Sequence, residues 1–296
     1  MIDVKQVVRG FVAVALSLAA ASASARAVSA QASPAQTAPA QPAPAQSTPD
    51  TQKPYEPTVS QAGKDVVWVP TPQPTVDNML ALSKLTPQDY LIDLGSGDGI
   101  TVISAAKKGA RALGVEFNPD MVALSKRKAE EAGVSDKATF VQGDLYEADL
   151  SKATVVTLFL LPNINIKLRP SLLDLKPGTR IVSNTFDMGD WKPDAEATSD
   201  ACTSWCKAML WVVPAKVAGS WRLGDQTLTL TQQYQMVSGS LGSTAISNGK
   251  LNADAITFTA GGRTYAGRVN GDRMTGSGWE ATKVPGPAPG SAAGRP

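Results

Sequence analysis

The segment Leu91-Ile92-Asp93-Leu94-Gly95-Ser96-Gly97-Asp98-Gly99 constrains this chain more than any other. An apolar run that passes at once into three alternate glycines is a buried strand feeding a tight turn. Glycines lack Cβ atoms, so the backbone bends sharply and approaches a ligand, while the helix that follows presents free amide hydrogens at its N-terminus. Strand-like runs recur near 90–94, 112–116, 138–142, 154–159, 179–183 and 208–213, with helical patterns over 99–108, 119–133 and 166–175. That alternation predicts an α/β fold: a doubly wound, Rossmann-like parallel sheet covered by helices on both faces.

In such sheets a ligand binds beyond the carboxyl ends of the strands, where the strand order reverses. Gly95, Ser96, Gly97 and Asp98 are therefore candidate ligand contacts, although a bare glycine turn also serves as a plain strand-to-helix connection. Three acids at three successive strand ends strengthen the ligand reading. Asp93 stands just before the first glycine, where a carboxylate can meet a cationic amino group. Glu116 ends the second strand, placed for ribose hydroxyls. Asp144, after the third strand, can accept from an exocyclic adenine amine, and Leu145 beside it can cover the ring face.

Composition removes several chemistries. The chain has no histidine, which excludes Ser-His-Asp hydrolysis and imidazole zinc sites. Its two cysteines, Cys202 and Cys206, are too few for a four-thiolate metal and are not spaced as a C-x-x-C pair, so no metal is expected. They read as a local disulfide or two free thiols. A net charge of +2 with interspersed signs gives no footprint for nucleic-acid binding.

Taken together, LIDLGSGDG, then GVEFNP at 114–119, then GDL at 143–145 resemble the class I S-adenosylmethionine (SAM)-dependent methyltransferases. That resemblance implies a central seven-stranded sheet, with SAM as cofactor: its methionine moiety near the glycine loop and Asp93, ribose at Glu116, adenine near Asp144 and Leu145. With Val69-Pro70-Thr71-Pro72 and Leu160-Leu161-Pro162-Asn163 added, residues 66–191 are similar to bacterial secreted-type methyltransferases related to the ATP synthase c-subunit lysine methyltransferases. In that group the segment matching 69–72 folds over the cofactor; extended, proline-fixed chain can equally be a packing edge.

Methyl transfer is an in-line displacement that requires nucleophile, methyl and sulfur to be held nearly collinear with water excluded. A lysine nucleophile must first lose a proton, through a carboxylate or a desolvating pocket. The candidate catalytic residues are Asn163 and Asp187, with Tyr146 a further group and Pro162 sharing the lip with Asn163. Each has a plainer reading: Pro162 ends a strand, Asn163 caps a helix, and Asp187 is a solvated loop acid. The [DN]-P-P-[YF] motif of adenine-methylating enzymes is absent. The expected acceptor is a protein side chain, such as lysine, or a small molecule, and not a nucleic acid.

The N-terminus has the layout of a secretory signal peptide: Lys5 and Arg9, an apolar stretch from Phe11 to about Ala21, and small residues at Ala23-Ser24-Ala25 or Val28-Ser29-Ala30. The stretch is shorter than the roughly 20 residues that span a bilayer. The expected location is periplasmic or extracellular, with membrane contact only if the signal stays uncleaved. An Ala/Pro/Gln-rich tether follows, unable to bury enough apolar surface to fold.

After Pro214 short alternating stretches are separated by glycine turns. Leu228, Leu230, Tyr234 and Met236 read as one strand face, and Ser247-Asn248-Gly249 and Asn270-Gly271-Asp272 as hairpins. About six antiparallel strands are expected, in a small sandwich or half-barrel whose ends Trp221 and Trp279 could close; tryptophans in so small a domain are more often core than a platform for a flat ligand. The plan is thus 1–30 signal peptide, 31–60 linker, 61–214 methyltransferase domain, 215–283 small antiparallel all-β domain and 284–296 disordered tail.

Two rival functions share the sequence features. A nucleotide-dependent oxidoreductase uses a similar strand, turn and acid, but Ile100 stands where G-x-G-x-x-G needs a small residue, and Asp93 would repel a pyrophosphate. An exported, non-catalytic binding protein on the same fold is the other, because SAM is made in the cytosol.

Overall fold

The computed structural model describes residues 55–285. The expected signal peptide, most of the linker and most of the tail lie outside the described residues. A seven-stranded sheet is built from β1 (Tyr90–Leu94), β2 (Arg111–Glu116), β3 (Ala138–Gln142), β4 (Val155–Leu158), β5 (Arg180–Asn184), β6 (Ala195–Thr198) and β7 (Lys207–Val212). Its order is β3-β2-β1-β4-β5-β7-β6. Strands β1 to β5 run parallel, and β7 is antiparallel to both β5 and β6. Order reverses between β1 and β4. Those two strands are covered on both faces, with Leu91, Leu94, Val155, Val156 and Leu158 all at 0% exposure, which is why their sequences read as continuous apolar runs.

Four helices flank the sheet: α1 (Gln73–Leu82), α2 (Ile100–Lys107), α3 (Pro119–Glu131) and α4 (Pro162–Leu173). Helix α3 starts where Asn118 caps it, its side-chain oxygen accepting the Asp120 N–H at 2.9 Å, with Pro119 pre-set for the first turn. Val102 and Val122 pack with Leu91 and Val155 on one face of the sheet; Leu168 and Leu172 pack with Ile92 and Leu158 on the other.

The structure adds two elements to the sequence reading. Helix α1 buries Val76, Met79 and Leu80, and it escaped notice because prolines 72 and 74 look like breakers although proline suits a helix start. Strand β6 is four residues of half-buried, weakly apolar chain. Helix α4 begins at Pro162 rather than 166, again on a first-turn proline.

The C-terminal region holds β8 (Gly219–Leu223), β9 (Gln226–Gln233), β10 (Met236–Leu241), β11 (Thr244–Ala245), β12 (Ser247–Asn252), β13 (Ala255–Ala260), β14 (Arg263–Asn270), β15 (Arg273–Gly276) and β16 (Trp279–Lys283). All pairings are antiparallel, and β9 joins β10 as well as β8, so eight strands close into a barrel with β11 attached to β10. Closure, rather than a sandwich or half-barrel, removes the exposed edges.

Asn270-Gly271-Asp272 does connect β14 to β15, but Ser247-Asn248-Gly249 is not a hairpin. Asn248 has φ 53° inside β12, where the register shifts, so the sequence signal marks a bulge. Leu228 and Leu230 face inward as expected. Tyr234 instead sits in the β9–β10 turn with φ 54°, and Met236 is exposed. Trp221 and Trp279 belong to the barrel core. A Cβ at Gly276 would lie 2.0 Å from the Trp279 indole nitrogen, so glycine there makes room for the ring.

The barrel docks on the first sheet through Tyr234, whose ring stacks on buried Trp191 at 5.7 Å and whose hydroxyl donates to Asp190 at 2.9 Å. The Gln235 amide donates to the Lys192 carbonyl at 2.9 Å.

Candidate functional site

Where β1 and β4 diverge, a cleft of about 990 Å³, counting the space open to solvent, lies over the strand ends. Asp93, Gly95, Ser96, Gly97, Asp98, Glu116, Asp144 and Leu145 all line it. The topology brings them together although they span about 50 positions in sequence, because β1, β2 and β3 are parallel neighbours ending at one edge.

Asp93 closes the floor. It is buried, and its Oδ1 accepts from the Thr157 hydroxyl at 2.6 Å. Burial, with the nearby Glu116 and Asp98 charges adding to it, pushes its carboxyl up to about 7, while the Thr157 hydrogen bond opposes the rise. A buried carboxylate with one neutral donor is an incomplete site that a cation would satisfy.

Beside it, Gly97 adopts φ 53°, and a Cβ there would lie 2.7 Å from the Trp68 indole nitrogen. The left-handed turn and the close approach both demand glycine. Glu116 is oriented from below: its two oxygens accept the Gly97 and Asn118 N–H groups, each at 2.9 Å. Asp98 pairs with Lys128 of α3 at 2.7 Å, which commits its carboxylate to the protein. The Ser96 hydroxyl is buried without a partner.

At the far end Asp144 pairs with Lys64, which holds the carboxyl below the usual carboxylate range with help from the Tyr146 N–H. Lys64 also lies 5.1 Å from the centre of the exposed Phe117 ring. Residues 61–69 and Thr71 form a strap across the opening. The sequence pointed to 69–72 as a covering segment. Lys64 and Trp68 escaped it, since a lone lysine and tryptophan in irregular chain carry no periodic signal. Thr157 and Phe159 were likewise invisible inside an apolar strand run.

The expected catalytic residues fare differently. Asn163 and Asp187 do not line this cleft, and both are exposed. Asp187 accepts the Gly189 N–H at 3.0 Å, the role of a turn-stabilising acid. Asn163 lies in the first turn of α4, and the residue that reaches inward is Asn165, whose amide donates to the carbonyls of Phe186 and Asp187 at 3.2 Å each. Tyr146 keeps its phenol proton more firmly than usual, chiefly through burial, so it is poorly suited to accept a proton near neutrality. The cleft as a whole fits an elongated ligand with a cationic group at Asp93, a diol at Glu116 and a flat ring towards Leu145 and Phe117.

Comparison with known proteins converges on this region. Residues 93–195 match the family model of the ANTKMT methyltransferase domain. A protein-lysine N-methyltransferase of Saccharolobus islandicus is 44% identical over 131 residues, covering 43% of this chain and 81% of that protein. The ATP synthase c-subunit lysine N-methyltransferase of Mus musculus is 34% identical over 143 residues, covering 48% of this chain and 58% of the mouse protein. Among solved structures, an RNA methyltransferase from Salinibacter ruber in complex with S-adenosyl-L-homocysteine is 50% identical, covers 50% of this chain and 96% of that one, and superposes with a TM-score of 0.48.

Proposed function

The chain belongs to the SAM-dependent protein-lysine methyltransferase family, and from that premise we propose that it methylates the ε-amine of a lysine on a protein of the cell envelope. One observation carries the reading: Asp93, Glu116 and Asp144, from three successive strand ends, open on a single cleft. SAM, when bound, supplies a sulfonium methyl group to an in-line nucleophile. Asp93 would hold its amino group, Glu116 its ribose hydroxyls, and Asp144 with Leu145 its adenine. The uncompensated Asp93 carboxylate fits a ligand with a cationic group.

Lysine is protonated at neutral pH, with an ordinary pKa of about 10.4. With no histidine in the chain, and with Asn163 and Asp187 outside the cleft lining, desolvation between strap and strand ends lowers the amine's pKa and its proton passes to bulk water as it enters. The residues of the cleft thus bind, orient and exclude water rather than relay a proton.

Export is supported by the signal-like N-terminus and by the Cys202–Cys206 disulfide, which suits an oxidising compartment. Mass spectrometry of the mature N-terminus tests it: a start near residue 26 or 31 is expected, and an intact Met1 on a cytosolic protein would overturn it. The methyl acceptor is tested with tritium-labelled SAM and an envelope extract from cells lacking the gene. Label recovered as ε-N-methyllysine after acid hydrolysis is expected; label confined to nucleic acid or lipid would overturn the reading.

A further inference from the structure

Three aromatic rings converge beside the cleft, apart from the acids at the strand ends. Phe159, directly after β4, lines the cleft; Phe186 follows β5; Trp205 lies in the loop closed by Cys202 and Cys206. Their ring centres are 5.6 Å apart for Phe159 and Trp205, 5.7 Å for Phe186 and Trp205, and 6.0 Å for the two phenylalanines. Trp205 is 39% exposed, so the cluster runs from the cleft wall to the surface.

The backbones of Phe186 and Trp205 are held from behind. The Phe186 carbonyl accepts from the Ser183 hydroxyl at 2.6 Å and from Asn165 at 3.2 Å. The Trp205 carbonyl accepts from the hydroxyl of Thr75, itself fully buried in α1, at 2.9 Å. Trp205 also has φ 57°, a left-handed conformation unfavourable for a bulky side chain, held between the two bridged cysteines.

Resting on the lysine reading above, we propose that Phe159, Phe186 and Trp205 form the wall of the acceptor channel, along which the substrate lysine reaches the cleft, and that the Cys202–Cys206 disulfide holds Trp205 in place. The faces suit the cargo. Aromatic surface covers the four methylenes of the lysine stem, and its π-face attracts the ammonium on approach and the methylated ammonium after transfer. Phe159 connects the wall to the strand end between Leu158 and Leu160, which also line the cleft.

The test uses the full chain, tritium-labelled SAM and a dilution series of the same envelope extract. For Trp205→Ala and Cys202→Ser the apparent KM for extract protein should rise about tenfold, with kcat, SAM affinity and melting temperature close to wild type, and Trp205→Phe should recover most of the loss. Dithiothreitol should raise the KM of the wild type and leave Cys202→Ser unchanged. Unaltered KM in Trp205→Ala, beside an active wild type, would overturn the channel alone. Loss of SAM affinity or folding in that variant would mark Trp205 as structural and overturn it too. A wild type that binds SAM yet labels no lysine would overturn the lysine reading, and the channel with it.

Discussion

Asp93 carries an opposition between folding and binding that can be measured. Its carboxyl is raised to about 7, so between the ordinary carboxylate value and that point the folded protein holds a proton that the unfolded chain has released. Stability of the ligand-free protein therefore falls as pH rises through this window, with the full loss, about 4 kcal/mol at most, reached above it. Asp93→Asn removes the ionisation. Thermal melts should show the variant more stable than wild type at pH 8 and equal to it near pH 4, while calorimetry shows SAM binding lost at both. A melting temperature lower than wild type at pH 8 would contradict the burial argument. At Gly97, substitution by Ala meets both φ 53° and the Trp68 indole, so a loss of SAM affinity of tenfold or more is expected in the same assay. That Asp93, Glu116 and Asp144 share one cleft was legible in the sequence, because each stands at the end of a strand in a parallel sheet. Where Asn163 and Asp187 point was not, because a short polar residue after a strand is as well suited to a helix start or a turn, and the three-dimensional neighbours decide which.

Among the elements, the strap of residues 61–71 is the one whose role depends most on motion. Trp68 lies against the glycine turn and Lys64 reaches across to Asp144, contacts that would retain a bound ligand. Trp68→Ala should speed SAM dissociation about tenfold in a stopped-flow chase while leaving association nearly unchanged; an unaltered off-rate would show that the strap does not close the cleft. The parallel strands could be read directly, since burial on both faces leaves apolar runs of strand length. Helix α1 could not, because its two prolines disguise a start as a break, and β6 could not, because an edge strand of four residues buries too little to leave a pattern.

Over the whole molecule, Tyr234 ties the barrel to the core of the first sheet. Tyr234 stacks on Trp191, a residue of the first core at 0% exposure. Tyr234→Ala should cost about 2 kcal/mol in urea unfolding monitored by tryptophan fluorescence. The barrel's existence was legible as glycine-punctuated alternation, but its closure was not: the β9–β10 pairing and the β12 bulge are settled by packing around Trp221 and Trp279 rather than by local turn residues. Whether this fold moves a methyl group from SAM to a protein lysine using the Asp93 cleft is decided by incubating labelled SAM and envelope extract with wild type and with Asp93→Asn in parallel. The predicted result is ε-N-methyllysine from the wild type and none above background from the variant; equal label from both, or none in lysine from either, would contradict it.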